Sequence, residues 1–151
     1  MYLKTFAFML LTATSSQAFA ESPVSVGAAV TGGSPAVSVQ YVASPDVGYH
    51  FTTSYGGDTA RISADYQRLF VPSFGYSRDY RLALYSGVGL VGQSSREEDV
   101  AEAYAAHLPV GVQCTLSDFH LAAFLEAGGL VGPLPMTRVA GTFAGGVRAT
   151  F

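Results

Sequence analysis

The C-terminal segment, residues 138–151, alternates regularly between apolar and polar positions. Because successive side chains of a β-strand point to opposite faces, this alternation predicts a strand with one apolar and one polar face. The apolar face would carry Val139, Gly141, Phe143, Gly145, Val147, Ala149 and Phe151. The other face would carry Arg138, Ala140, Thr142, Ala144, Gly146, Arg148 and Thr150.

The rest of the chain divides into similar segments separated by residues that favour turns. Glycine, proline, aspartate and serine dominate the breaks, because they supply positive φ, fixed φ or local hydrogen bonds. The pattern predicts eight strands, at residues 24–31, 36–43, 46–55, 59–70, 80–93, 101–116, 119–131 and 138–151. We therefore expect an all-β fold with a single antiparallel domain.

The two faces of the predicted strands differ in chemistry. Large aliphatic and aromatic side chains share one parity, and most charged and amide side chains have the other. The polar face also carries many glycines: Gly27, Gly48, Gly87, Gly89, Gly111, Gly128 and Gly146. A narrow barrel lumen needs small and paired polar side chains together, whereas lipid accepts only an apolar face. The pattern therefore favours an eight-stranded transmembrane β-barrel over a soluble β-sandwich.

Aromatic side chains on the apolar parity support the same fold. Several lie near predicted strand ends, as in the aromatic girdles of membrane barrels. They are Tyr41, Tyr49, Tyr55, Tyr66, Phe70, Tyr80, Tyr104, Phe119 and Phe151. An even strand number would place both chain ends on the periplasmic side of the membrane.

The polar parity predicts the contents of the lumen. It holds Gln40, His50, Arg61, Asp65, Arg81, Tyr85, His107, Gln113, His120, Glu126 and Arg148. Buried charges must be paired, so the two acids and three arginines of this set predict an internal ion-pair network. Because neighbouring strands carry them, Glu126 with Arg148 is the first predicted pair and Asp65 with Arg81 the second. A polar channel is the alternative, but eight strands leave an interior that side chains just fill.

The first twenty residues have the organisation of a secretory signal peptide. Lys4 precedes an apolar run at residues 6–11, and Ala18-Phe19-Ala20 matches a cleavage site between small residues. The run is shorter than the roughly 20 residues of a membrane-spanning helix. We therefore expect residues 1–20 to be cleaved and residues 21–151 to form the barrel domain, exported through the periplasm to the bacterial outer membrane.

The net charge of the chain limits the classes of molecule that it is expected to bind. Beyond residue 20 the chain has seven arginines and eleven acids, a net charge of −4. Without a basic cluster, this charge argues against nucleic-acid binding. The acidic segment Arg96, Glu97, Glu98 and Asp99 falls in the longest predicted external loop, which is either solvated surface or a binding epitope. One cysteine, Cys114, excludes an intrachain disulfide.

Several segments together resemble a family of small eight-stranded outer-membrane barrels of the OmpA/OmpW-like kind, found in spirochaetes and other diderm bacteria and of uncharacterised function. The matching segments are residues 33–41, 63–66, 85–89, 108–113, 124–127 and 145–148, followed by Phe151. The resemblance covers most of the chain after residue 20. It implies a barrel that contacts outer-membrane lipid and lipopolysaccharide, with Phe151 as a C-terminal signal for the barrel assembly machinery. It assigns no chemistry and no cofactor.

Chemical motifs are weak in this sequence. Residues 87–92 match G-x-G-x-x-G, but no helix is predicted after them, so a dinucleotide site is not expected. A metal site built from the three histidines would need them at one level of the lumen, which parity does not establish, and no metal is expected. No His-x-Ser sequence like that of a lipid A deacylase occurs, and the histidines are predicted to point inward.

Three classes of function remain open. The first, and the favoured one, is a structural or surface-interaction barrel of the outer membrane that carries no catalytic chemistry, with an unknown extracellular ligand. The second is a narrow pore or small-molecule binder that uses the polar lumen. The third is an enzyme that modifies lipid A or phospholipids.

Overall fold

A computed structural model describes residues 24–70, 77, 79–95, 103–132 and 139–151. Here eight antiparallel strands close into one barrel, with each strand beside the next and β1 beside β8. They are β1 (Val24–Thr31), β2 (Ser34–Ser44), β3 (Val47–Gly56), β4 (Thr59–Phe70), β5 (Tyr80–Ser95), β6 (Ala103–Leu116), β7 (Leu121–Val131) and β8 (Val139–Thr150). The predicted all-β, eight-stranded antiparallel barrel is confirmed.

Two predicted features lie outside the described residues: the signal segment at residues 1–20, and the loop that contains Arg96, Glu97, Glu98 and Asp99. Within the described residues, no helix has the length and apolar character needed to cross a membrane.

Every strand bound agrees with the prediction to within two residues. The first hairpin is tighter than predicted, because Gly32 and Gly33 alone form the turn, with φ of 56° and 84°. Two central residues with positive φ suit a type I′ hairpin, so Ser34 and Pro35 already belong to β2. Strand β7 starts later than predicted, at Leu121, because a 3-10 turn (Ser117–Phe119) precedes it.

Two rims of the barrel serve as reference points. The upper rim carries the turn at Gly32-Gly33 and the turn at Gly57-Asp58. The lower rim carries both ends of the described chain and the 3-10 turn. The seam between β1 and β8 runs from Ser25 opposite Thr150 to Thr31 opposite Ala144.

Burial alternates along the strands as parity predicts. In β4, for example, Ser63, Asp65, Gln67 and Leu69 are buried, whereas the residues between them are exposed. The exposed outer wall includes large apolar side chains such as Ile62 at 64% and Leu90 at 69% of their full exposure. The barrel therefore has an apolar outside and a largely polar inside.

Small apolar residues complete the interior. One buried cluster contains Ala29, Ala36 and Ala144 around the ring of Phe124. A second contains Leu69, Ala83 and Tyr85. The alanines leave room for the long polar side chains that fill the centre of the barrel.

Candidate functional site

The candidate site is the polar network that fills the lumen. Its largest fully buried members include Arg148, His50, Gln40 and Gln67. Asp65 and Glu126 are also buried, so these two acids and Arg148 lie in the lumen as the sequence predicts. Arg61 and Arg81 are only partly buried. Arg61 lies towards the upper rim, opposite Ser54 and Gln93.

Arg148 on β8 organises the lower part of the network. Its Nε donates to Ser38 Oγ at 2.8 Å, and its NH1 donates to Gln40 Oε1 at 2.8 Å and Gln113 Oε1 at 3.1 Å. Its NH2 lies 3.1 Å from His50 Nε2. The guanidinium also stacks on the Phe124 ring, with 3.9 Å between its carbon and the ring centroid. Donors on every side of the guanidinium are thus satisfied although the residue is only 1% exposed.

Two glutamines connect Arg148 to Glu126. Gln40 Nε2 donates to Gln67 Oε1 at 3.2 Å, and Gln67 Nε2 donates to Glu126 Oε2 at 3.4 Å. An arginine can only donate and an ionised carboxylate can only accept. The chain of hydrogen bonds through the two glutamine amides, here called the amide chain, therefore has one direction. Each glutamine turns its oxygen towards Arg148 and its NH₂ group towards Glu126. The chain therefore joins the two charges through neutral amides.

The predicted direct pair between Glu126 and Arg148 is wrong. Glu126 lies opposite Ala144 on β8, whereas Arg148 lies opposite Ala122 on β7. Four residues along a strand correspond to about 13 Å, and the two side chains form no direct ion pair. Parity places both residues in the lumen but leaves their levels open.

The predicted pair between Asp65 and Arg81 is also wrong. Asp65 lies opposite Gly89 on β5, eight residues above Arg81, which corresponds to about 27 Å. His107 Nδ1 instead donates to Asp65 Oδ1 at 2.7 Å. Arg81 lies at the lower end of the lumen and donates from NH2 to the Pro45 carbonyl at 3.2 Å.

Glycines allow network contacts to pass over a whole strand. Tyr85 on β5 lies opposite Gly111 on β6, which lies opposite Glu126 on β7. The Tyr85 hydroxyl donates to Glu126 Oε2 at 3.1 Å across that glycine. A Cβ atom at Gly111 would overlap the Tyr85 ring and the Leu125 carbonyl oxygen. The bond therefore depends on the absence of a side chain at residue 111.

The same arrangement holds Asp65 and His107 together. Asp65 on β4 lies opposite Gly89, which lies opposite His107 on β6. A Cβ atom at Gly89 would overlap Asp65 itself. Farther along, the His107 ring reaches Thr142 on β8 across Gly128, with 3.2 Å between Nε2 and Oγ1.

A further crossing spans the seam of the barrel. Arg148 on β8 lies opposite Gly27 on β1, and Gly27 lies opposite Ser38 on β2. The Arg148–Ser38 bond passes over Gly27, where a Cβ atom would overlap the β8 backbone. Gly27, Gly89, Gly111 and Gly128 thus each support one contact between strands that are not neighbours. Four of the seven glycines that parity places in the lumen therefore support the network.

Two members of the network were missed from sequence, and one residue was misplaced. Ser38 and Gln67 share the parity of Gln40 and Asp65, and this signal could have identified them. His120, predicted to face the lumen, is exposed because it precedes β7 and ends the lower turn with a φ of 50°. Its carbonyl accepts a 2.7 Å bond from Thr150 N.

The histidines do not form the three-histidine metal site considered from sequence, since His120 is outside the lumen. A different set of potential ligands converges instead. Three potential ligand atoms lie within 4.8 Å of one another, one each from His50, Asp65 and Glu126. All three residues are buried.

Comparisons with known proteins add no relative. The chain matches no protein-family model, no curated protein and no solved structure.

Proposed function

We propose that this chain is an integral outer-membrane β-barrel with a structural or surface-interaction role and a closed lumen. The observation that carries the proposal is the inverted distribution of polarity, with buried charged and amide side chains inside and apolar side chains outside. A soluble barrel that binds small apolar ligands has the opposite arrangement, with its apolar side chains inside.

The outer wall is too apolar to be stable against water. The described residues include 23 large hydrophobic side chains that are exposed, from Val30 on β1 to Phe151 after β8. Removing one such side chain fully from water stabilises a protein by about 1.5–3 kcal/mol. Partial burial of the whole outer wall would therefore contribute tens of kcal/mol. A surrounding bilayer would supply that cover over the full circumference.

Aromatic side chains near the lower rim support a membrane interface there. Tyr41, Tyr49 and Tyr66 lie opposite one another in a row across β2, β3 and β4. Their ring centroids are 6.4 Å and 5.8 Å apart. Phe70 and Tyr80 lie farther towards the same rim, on the ends of β4 and β5. Amphipathic tyrosine rings are enriched where the apolar core of a membrane meets water.

Strand length is compatible with a membrane crossing. Seven of the eight strands have 10 to 16 residues. A tilted membrane strand needs about 9–11 residues. The predicted signal segment and the C-terminal Phe151 support the outer membrane as the location, with the barrel assembly machinery and lipopolysaccharide as partners.

The filled lumen favours a closed barrel over a pore. Arg148, Gln40, Gln67 and His50 are all fully buried and lie across the interior from β8 through β2, β3 and β4. Water and solutes would have to displace this bonded layer to pass. The network therefore supports a role in holding the barrel together.

One group of side chains has the order of a hydrolytic triad. Ser38 Oγ lies 2.8 Å from His50 Nε2, and His50 Nδ1 lies 3.6 Å from Glu126 Oε2. However, Ser38 is 0% exposed and its oxygen accepts a bond from Arg148 Nε. A substrate carbonyl has no approach to this oxygen, which supports a non-catalytic role for all three residues.

The experiment that tests the location is gel mobility of the outer-membrane fraction, compared with and without boiling. We expect the unboiled protein to migrate faster and to stay with the membranes through an alkaline carbonate wash. Recovery of the protein in the soluble periplasmic fraction, with no mobility shift, would contradict the proposal. Replacing residues 96–99 with a Gly-Ser loop then tests the surface interaction. Binding of the extracellular ligand to whole cells should fall, while the mobility shift of the barrel persists.

A further inference from the structure

We propose that His50, Asp65 and Glu126 form a lumen site for a divalent transition-metal ion such as Zn²⁺. The three residues come from β3, β4 and β7, and β3 and β7 lie on opposite walls of the eight-stranded barrel. A bound ion would therefore connect both walls at the centre of the lumen. The site rests on contacts inside the lumen, and only the detergent refolding in its test rests on the proposed membrane location.

The geometry of the three ligand atoms favours a metal ion. The three ligand atoms lie within 4.8 Å of one another, and His50 Nδ1 is 3.6 Å from Glu126 Oε2. Ligand atoms that surround zinc tetrahedrally at about 2.0–2.2 Å lie roughly 3.3–3.6 Å apart. The distance between His50 and Glu126 already has this value, and the other ligand atoms would have to move by up to about 1 Å to close the site.

The Asp65 carboxylate also has an unmet hydrogen-bonding requirement. Asp65 is 3% exposed, and its Oδ1 accepts from His107, whereas its buried Oδ2 has no hydrogen-bond partner among the described residues. An ionised carboxylate oxygen left without a partner is costly in a closed interior. Among the described residues, Gln67 and Tyr85 both donate to Glu126 Oε2. A cation bound through Asp65 Oδ2 would supply the partner that this oxygen lacks.

The surrounding contacts are of the kind that orient metal ligands. His107 fixes the Asp65 carboxylate, and Tyr85 with Gln67 fixes that of Glu126. A metal on His50 Nδ1 requires the ring proton on Nε2, where Ser38 Oγ lies 2.8 Å away and can accept it. Binding would then displace the 3.1 Å contact of Arg148 NH2 with Nε2 and the 3.3 Å contact of Gln67 Nε2 with Nδ1. One imidazole with two carboxylates suits zinc better than calcium or magnesium, which prefer oxygen alone.

The test is metal analysis of the whole barrel, unfolded in urea with a chelator and refolded into detergent micelles with Zn²⁺. After dialysis, we expect an equimolar amount of zinc in the folded protein and at least about tenfold weaker binding in His50→Gln and Asp65→Asn. His120→Ala, which changes an exposed histidine outside the lumen, is the matched control and should keep the zinc. Calcium in place of zinc should not be retained.

Two outcomes would overturn the site. One is a folded, heat-modifiable wild-type barrel that retains no zinc, as expected if a water molecule meets Asp65 Oδ2. The other is equal zinc binding by folded His50→Gln and Asp65→Asn. If either variant does not fold, X-ray absorption of zinc in the wild-type barrel decides. One imidazole among oxygen ligands supports the site, and two imidazoles or a sulfur ligand contradict it.

Discussion

The Tyr85 hydroxyl donates a 3.1 Å hydrogen bond to Glu126 Oε2, although the two residues lie on strands that are not neighbours. Gly111 on the intervening strand lies opposite both of them. The aromatic ring occupies the space that a side chain at residue 111 would need. In this barrel, a glycine in the lumen is therefore specified by the contact that passes over it.

Substitution of Gly111 tests this relationship directly. Gly111→Ala should lower the free energy of unfolding by about 1–3 kcal/mol, because the new methyl group overlaps the Tyr85 ring and the rigid Leu125 carbonyl. The measurement is the urea midpoint of the folded barrel in detergent micelles. Gly129→Ala is the matched control, since a Cβ atom there meets nothing within 4 Å and the midpoint should not fall. Equal midpoints for both variants would show that the crossing needs no glycine.

Removal of the Glu126 carboxylate should be more damaging than removal of the Tyr85 hydroxyl. Glu126→Ala deprives Tyr85 and Gln67 of their acceptor and leaves Arg148 at the other end of the amide chain without a counter-charge. We expect a loss of about 3–5 kcal/mol in the free energy of unfolding. Tyr85→Phe keeps the ring and removes one bond to a charged acceptor, which should cost about 1.5–3 kcal/mol.

The same urea titrations show whether Glu126 stabilises the barrel through the amide chain or only by filling space in the lumen. Glu126→Gln retains the shape of the side chain and an oxygen that can accept, so its loss should lie between those of Glu126→Ala and Tyr85→Phe. An unchanged midpoint for Glu126→Ala would remove the carboxylate from any structural role.

The parity of side chains in the sequence predicted the fold and the contents of the lumen, because period-two alternation is a local property of each strand. It placed Asp65, Glu126 and Arg148 inside correctly. Parity could not predict how high each of these residues lies in the lumen. That height depends on the strand register and on how far each strand is offset from the next. Both predicted ion pairs failed for this reason.

The amide chain could not be predicted from the sequence for a second reason. Gln40 and Gln67 are 27 residues apart and belong to strands separated by β3, so no local pattern links them. Their amide groups acquire a direction only because Arg148 donates at one end and Glu126 accepts at the other. The prediction for His120 failed for another reason. The alternation continues through the lower turn, although β7 starts only at Leu121, two residues later than predicted.

The lower turn offers a substitution that should stabilise the barrel. His120 has a φ of 50°, a conformation that costs a residue with a side chain about 1–2 kcal/mol and costs glycine little. His120→Gly should therefore raise the urea midpoint, while the bond from Thr150 N to the residue 120 carbonyl is kept. Asp118→Gly in the same turn is the control. Residue 118 does not have positive φ, so glycine there should lower the midpoint or leave it unchanged.

Arg148→Lys tests whether the centre of the network depends on charge alone or on the shape of the guanidinium. Lysine keeps the charge but concentrates its donors at one atom, whereas Arg148 donates from three nitrogens to Ser38, Gln40 and Gln113 and towards His50. Because buried glutamine oxygens would lose their donor, the free energy of unfolding should fall by about 3–5 kcal/mol.

The control for that substitution is Arg68→Lys. Arg68 pairs with Asp46 at 3.0 Å on the exposed outer side of the lower rim, and a surface pair of this kind contributes little. Its urea midpoint should stay at the wild-type value. If Arg148→Lys also stays there, a positive charge is sufficient, and the amide chain is not oriented by the guanidinium. If only Arg148→Lys falls, the geometry of donors across Gly27 holds β8, β1 and β2 together and so closes the seam of the barrel.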